Sequence, residues 1–142
     1  RHTNHVLTRR IVDQAKRTGR AIAIEDLAGI RSRIRASRPQ RAVLHSWSFQ
    51  QFRAFLEYKA ALAGIMLVTV DPRNTSRTCS ACGHCEKANR PSQSQFRCRH
   101  CGFSANADTN GALNIRALGL AILGAAVVSR PNVSGIPVLR AA

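Results

Sequence analysis

Hydrophobic positions change period along the chain. Between His5 and Arg17, Leu7, Ile11 and Ala15 recur at i, i+4 and i+8 with Val12 beside them, which predicts one apolar face of a helix stopping near Gly19. Ala21-Ile22-Ala23-Ile24 is short, apolar and bounded by Gly19 and by Glu25-Asp26. It has the pattern of a strand buried on both faces of a parallel sheet. Glu25 stands at its carboxyl end, the edge at which ligands gather in open α/β sheets. Ser48-Phe49-Gln50-Gln51 has the form of a capping box, with Trp47 placed to staple onto Phe52. Phe52, Phe55, Leu56, Lys59, Leu62 and Ala63 then follow helical spacing as far as Gly64, so the aromatics read as core rather than as a base-stacking platform. Residues 65–70, Ile-Met-Leu-Val-Thr-Val, predict a second strand ending at Asp71-Pro72. Helix, strand, helix, strand in this order implies parallel strands joined by right-handed crossovers. Ala112, Ile115, Leu118 and Ile122 mark a last helix beginning near Asp108 or Thr109. The segment from Arg130, with two prolines and no period, reads as a tail.

The cysteines interrupt this α/β pattern. Cys79 and Cys82 form one C-x-x-C pair and Cys98 and Cys101 another, fifteen residues apart, a spacing typical of a four-cysteine zinc site. Each pair offers two thiolates from one tight turn, half of a tetrahedral Zn²⁺ shell. Gly83 and Gly102 directly follow the second cysteine of each pair, where the chain turns sharply around the metal. Cys85 makes a further C-x-x-C with Cys82 and is an alternative to Cys79. The glycine behind Cys82 favours the Cys79 pairing and leaves Cys85 a free thiol. With four thiolates available, neither His84 nor His100 is needed as a ligand.

Charge changes the picture next. Twenty-two Lys and Arg against seven acids give a formal net charge of +15, a self-repelling balance that a polyanion neutralises. Arg31, Arg33, Arg35, Arg38 and Arg41 crowd around Pro39, with no acid between Asp26 and Glu57. Such a run is either a solvated loop or a phosphate contact. The density of arginine, which holds phosphate bidentately, favours nucleic acid. No long amphipathic basic helix suggests a membrane surface, and the apolar run from Leu118 to Val128, broken by Gly119 and Gly124, is too short and weak to span one. Five cysteines without a leader segment fit a reducing cytoplasm. A chain opening on Arg1 reads as beginning inside a longer protein.

The seven acids are few enough to take singly. Glu25 and Asp71 end predicted strands and Asp108 opens a predicted helix, and each alone reads as a cap. Converging at one sheet edge they would instead make a Mg²⁺ site. Carboxylates holding two Mg²⁺ ions activate water and stabilise the leaving oxygen in phosphodiester hydrolysis.

IAIEDL at 22–27, TSRTCSACG at 75–83, CRHCG at 98–102 and NADTNGALNI at 106–115 resemble, in that order, the C-terminal half of the OrfB-type (TnpB) proteins of bacterial insertion sequences. Those are RuvC-like, RNA-guided DNA nucleases related to the type V CRISPR effectors. The resemblance runs from about His5 to about Leu118. It implies an α/β fold, a partial RNase H-like core with an inserted four-cysteine zinc ribbon. The core would occupy 1–72, the ribbon 73–105 and the last core helix 106–124, with 125–142 as tail. It further implies that Glu25 and Asp108 are the second and third of three catalytic, Mg²⁺-binding carboxylates. Asp26 and Asp71 match no catalytic position. DNA, and a guide RNA in the complete protein, would be the partners, in a bacterial cytoplasm close to the nucleoid. The family's first catalytic Asp has no counterpart here, so the expectation is a chain that does not cleave by itself. The alternative is a non-catalytic zinc-ribbon nucleic-acid-binding protein, for which the EDL and ADTNGALNI motifs have no purpose.

Overall fold

The computed structural model describes residues 2–27 and 49–128. The arginine run at 31–41, the start of the capping box at Trp47 and Ser48, and the segment from 129 lie outside the described residues.

Helix α1 spans His2–Thr18, with Lys16 and Arg17 in its last turn, where cations suit the negative end of the helix dipole. Its buried stripe is Asn4, Thr8, Val12 and Ala15, not the Leu7, Ile11, Ala15 line that apolarity predicts. Leu7 and Ile11 are largely exposed. The stripe can start on polar residues because each has partners. Thr8 Oγ1 donates to the Asn4 carbonyl at 2.7 Å and accepts from Lys59 Nζ at 2.8 Å, while Asn4 Nδ2 donates to Gln51 Oε1 at 3.3 Å.

Helix α2, Phe49–Leu62, packs against α1. Leu56 and Ala60 are buried, with Phe52 and Ala63 beside them. Leu62, expected in the core, is 84 % exposed. The face is rotated from the predicted one, with Ala60 buried in place of Leu62 and with Phe55 and Lys59 turned to the first turns of α1. Phe55 stacks on His5 at 3.9 Å between centroids, and Lys59 donates to the His5 carbonyl at 2.6 Å.

Strand β1, Ile22–Glu25, pairs in parallel with β2, Leu67–Val70, in the register Ile22 with Leu67 through Glu25 with Val70. Glu25 ends β1 as expected, whereas Ala21 precedes β1 and Ile65 and Met66 precede β2, so both strands start later than their apolar runs. Within β1 only Ile22 is buried, not the whole strand. Among the described residues β1 is paired along one edge only. Alternation divides the sheet. Ile22, Ile24 and Leu67 meet the α1–α2 core, which also holds Val12, Ala15, Leu56 and Ala60. Ala23, Glu25, Val68 and Val70 therefore lie on the opposite face.

That second face receives α3, Ala107–Val128, which touches both strands. It begins where the sequence places it and runs on past residue 124. A Cβ built on Gly119 would lie 2.7 Å from Ala23 Cβ and 3.3 Å from Val68 Cγ2, so only glycine lets the helix lie this close. Between β2 and α3 the chain forms the cysteine ribbon. It comprises a short 3-10 turn, Lys87–Asn89, and the antiparallel pair β3, Gln95–Arg97, and β4, Ser104–Asn106.

Candidate functional site

The ribbon has a small core. Phe96, Cys79, Cys98 and Ala107 are buried, with Phe103 packed against them. Two similar knuckles carry the thiols. Gly83 N–H donates to the Cys79 carbonyl at 2.9 Å and Gly102 N–H to the Cys98 carbonyl at 3.1 Å. Both glycines have positive φ, +77° and +76°, which turns the chain back toward the cysteines. The four Sγ atoms of Cys79, Cys82, Cys98 and Cys101 lie within 4.8 Å of one another, an arrangement that suits a metal ion. Cys79 and Cys101 are 3.7 Å apart and Cys82 and Cys98 3.6 Å. Cys85 is exposed and forms an isolated bridge to Thr78, outside that group. His84 and His100 also lie outside it, with rings stacked at 5.5 Å.

The thiols differ in acidity. Cys98 is held down at about 6, chiefly by the Cys101 backbone N–H, with the His100 N–H and the neighbouring thiols adding to it against burial. Cys82 is pushed up to about 12. The His84 N–H favours its thiolate, but burial and the thiols of Cys101, Cys98 and Cys79 together outweigh it.

Asparagines that periodicity did not single out bind the ribbon together. Asn89, fully buried, donates from Nδ2 to the Arg77 and His84 carbonyls and accepts the Arg99 N–H at 2.8 Å, fastening one knuckle to the other. On α3, Asn110 and Asn114 share a face at i, i+4. Asn110 accepts the Ser80 N–H at 3.0 Å and donates to the Thr78 carbonyl at 2.8 Å. Asn114 donates to the carbonyls of Thr75 at 2.8 Å and Thr78 at 2.7 Å. Their signal was present in TNGALN: two helix-disfavouring amides one turn apart.

Glu25 ends β1 on the face covered by α3. Its Oε1 accepts a hydrogen bond from Thr75 Oγ1 at 2.6 Å. Asp108 opens α3, but the cap is Asn106, whose Oδ1 accepts the N–H groups of Asp108 at 2.9 Å and Thr109 at 3.3 Å. The Asp108 carboxylate, 89 % exposed, has Arg90 Nη2 at 4.0 Å. Asp108 shares a helical line with Ala112, Ile115 and Gly119, of which Gly119 meets the sheet at Ala23 and Val68. The Thr75–Asn114 contact lies six residues from Asp108, about 9 Å of helix rise. Among the described residues no set of three acids gathers around Glu25 and Asp108. Asp26 is engaged by Arg53 at 2.8 Å, and Asp71 accepts the Arg73 N–H at 2.9 Å.

Comparison with known proteins supplies the family. Residues 49–115 match the Cas12f1-like, TNB domain family. The chain is 43% identical over 114 residues to the CRISPR-associated endodeoxyribonuclease Cas12f1 of Sulfoacidibacillus thermotolerans, covering 80% of this chain and 26% of that protein. It is 30% identical over 112 residues to a TnpB-like protein of Methanocaldococcus jannaschii, covering 78% of this chain and 40% of the relative. Among solved structures, a Cas12f1 chain in complex with sgRNA and target DNA aligns with a TM-score of 0.66 at 27% identity, over 80% of this chain and 32% of that one. The chain thus spans about a quarter of the length of the first of these relatives. No described helix is long and apolar enough to cross a membrane. With its motifs in the family's order around a four-thiol ribbon, the chain belongs to the OrfB/TnpB-type, RuvC-like proteins and corresponds to their C-terminal portion.

Proposed function

We propose that this chain is the acid- and zinc-bearing part of an RNA-guided, RuvC-like DNA endonuclease, in which Glu25 and Asp108 supply two of three carboxylates for Mg²⁺. What supports the reading is that Thr75 bonds both to Glu25 and to Asn114 on the helix that begins at Asp108, in a chain whose relatives are named as RNA-guided or CRISPR endonucleases. A parallel β1–β2 pair covered by helices on both faces, as here, is the expected remnant of an RNase H-like core. Core, ribbon and last helix are assigned to 1–72, 73–105 and 106–124.

Zinc is the metal we assign to the ribbon. Four thiolates at the usual Zn–S bond length of about 2.3 Å form a tetrahedron with edges of about 3.8 Å. The observed 3.6 and 3.7 Å separations fit that edge. The hard oxygens of Glu25 and Asp108 suit Mg²⁺ instead. When bound, Mg²⁺ supplies electrostatic stabilisation and water activation for phosphodiester hydrolysis. The residues of this chain then act as follows. Glu25 presents a carboxylate that accepts the Thr75 hydroxyl, and Asp108 presents one freed from capping by Asn106. Glu25 ends β1, and the Asp108 side chain is exposed to solvent.

DNA is the polymer we assign to the basic surface, with guide RNA in the complete protein. Arg9, Lys16 and Arg17 are exposed along α1, Arg20 just beyond it, and Arg97 and Arg99 on the ribbon. The arginines at 31, 33, 35, 38 and 41 add to that charge. Replacing Arg31, Arg33 and Arg35 with alanine lowers DNA affinity and reduces the salt slope by about one for each phosphate no longer neutralised; an unaltered slope removes them from the interface.

With two of the three carboxylates, the chain by itself does not cleave. The test is incubation of purified chain and DNA with Mg²⁺ or Mn²⁺. Cleavage that disappears in Glu25→Ala overturns this part of the reading. Expressed in a bacterial host and localised there, the protein is expected in the cytoplasm with the nucleoid.

A further inference from the structure

Thr75, 6 % exposed, is bonded to β1 through its side chain and to α3 through its backbone. Its hydroxyl has two acceptors in reach: Glu25 Oε1 at 2.6 Å and the Pro72 carbonyl at 3.1 Å. One proton serves one acceptor well, and the shorter contact, to an ionised oxygen, takes it. The Thr75 carbonyl accepts Asn114 Nδ2 at 2.8 Å, and Asn114 lies on the helix that carries Asp108. An unrestrained glutamate turns about its side-chain torsions and presents either oxygen in many directions. A fixed donor on Oε1 selects one of them. The β-branched side chain also has a restricted χ1, so the hydroxyl keeps its aim.

We propose that Thr75 is a positioning residue for the acid pair: its hydroxyl orients the Glu25 carboxylate, while its carbonyl, held by Asn114, sets that carboxylate relative to the helix bearing Asp108. This rests on the assignment of Glu25 and Asp108 to a divalent cation. A role confined to the turn at Pro72 affects folding of the ribbon but not cation affinity. Groups that orient a metal-ligating carboxylate are worth about 10–100-fold in affinity.

The experiment is a Mn²⁺ titration of the zinc-loaded full chain, followed by the electron paramagnetic resonance signal of free Mn²⁺, with zinc content measured in parallel. Thr75→Val is expected to weaken Mn²⁺ binding by about 10–100-fold while zinc content stays at the level of the unmodified chain. Thr75→Ser, which keeps the hydroxyl, restores most of the affinity, and Glu25→Gln abolishes it. Thr75→Ala makes the same comparison if the valine variant loses its zinc. Unchanged affinity in Thr75→Val alongside loss in Glu25→Gln overturns the positioning role and leaves the acid pair standing, as does a serine variant no better than valine. Unchanged affinity in Glu25→Gln, or no Mn²⁺ binding by the unmodified chain, overturns the acid pair itself and the positioning role with it.

Discussion

Asn110, wholly buried on α3, accepts the backbone N–H of Ser80 at 3.0 Å, so the helix that carries Asp108 is pinned to the loop between Cys79 and Cys82. Its Nδ2 completes the clamp on the Thr78 carbonyl. Asn110→Ala leaves the part-buried Ser80 N–H without this acceptor, and leaving such a group unpaired costs about 1–3 kcal/mol. The expected result is a stability loss of about 2 kcal/mol, read from urea unfolding of the metal-loaded chain. A midpoint equal to that of the unmodified chain shows the clamp to carry no weight.

Metal removal acts on a core too small to stand alone. Phe96, Phe103, Ala107 and two of the thiols are the apolar content of the ribbon, and a module of that size needs its metal. Chelation, or Cys79→Ser with Cys98→Ser, is expected to open the ribbon to limited proteolysis within 75–106. A digestion pattern that chelation does not change excludes a structural metal.

Acid should compete with the metal in a defined order. At pH 7 Cys98, held near 6, is already a thiolate, whereas Cys82, pushed up to about 12, keeps its proton. Uptake of the ion must displace that proton, so affinity rises with pH, by about tenfold per unit for each proton released. Below pH 6 Cys98 is protonated too and the dependence steepens. Competition against a chromophoric chelator between pH 5.5 and 8.5, a window chosen on either side of about 6, measures the slope. A flat profile contradicts the assignment.

Two glycines of α3 should respond in opposite directions to the same substitution. Gly119→Ala forces a Cβ to within 2.7 Å of Ala23 on a paired strand. Overpacking costs about 1–3 kcal/mol and exceeds the helix gain of about 1 kcal/mol. Gly124 has nothing within 4 Å of its Cβ position, so Gly124→Ala keeps the helix gain. Thermal unfolding is expected to show a lower midpoint for the first and a higher one for the second. A stabilised Gly119→Ala contradicts the close approach of α3 to the sheet.

How much of this was legible in the chain depends on the kind of signal. Cysteine spacing needs no tertiary context, and the thiols at 79, 82, 98 and 101 stand together as their spacing implied. The α1 and α2 faces differ from the apolar ones by part of a turn because apolarity is the only guide a single chain offers. Asn4, Thr8 and Lys59 enter the interface through hydrogen bonds to each other's elements, which no periodicity reveals. Gly119 reads in sequence as a helix weakness, and only the neighbouring Ala23 gives it a reason. Glu25 and Asp108 carried the resemblance, and Asn110 and Asn114 were marked only by their i, i+4 spacing, whereas Thr75 and Asn106, within or beside the same motifs, have no periodicity that marks them. Their partners lie up to fifty residues away.

The ribbon leaves the sheet after Val70 and returns at Asn106, and Asn114 fastens its departure at Thr75 to the helix that follows its return. A segment whose ends already meet pays little for added length, about 0.6 kcal/mol per doubling of a loop. The exposed residues 91–94, between the buried Asn89 and Phe96, are therefore free to grow, shrink or acquire new side chains while the carboxylates stay where they are. Evolution can redesign what this appendage touches without rebuilding the sheet that holds the acids.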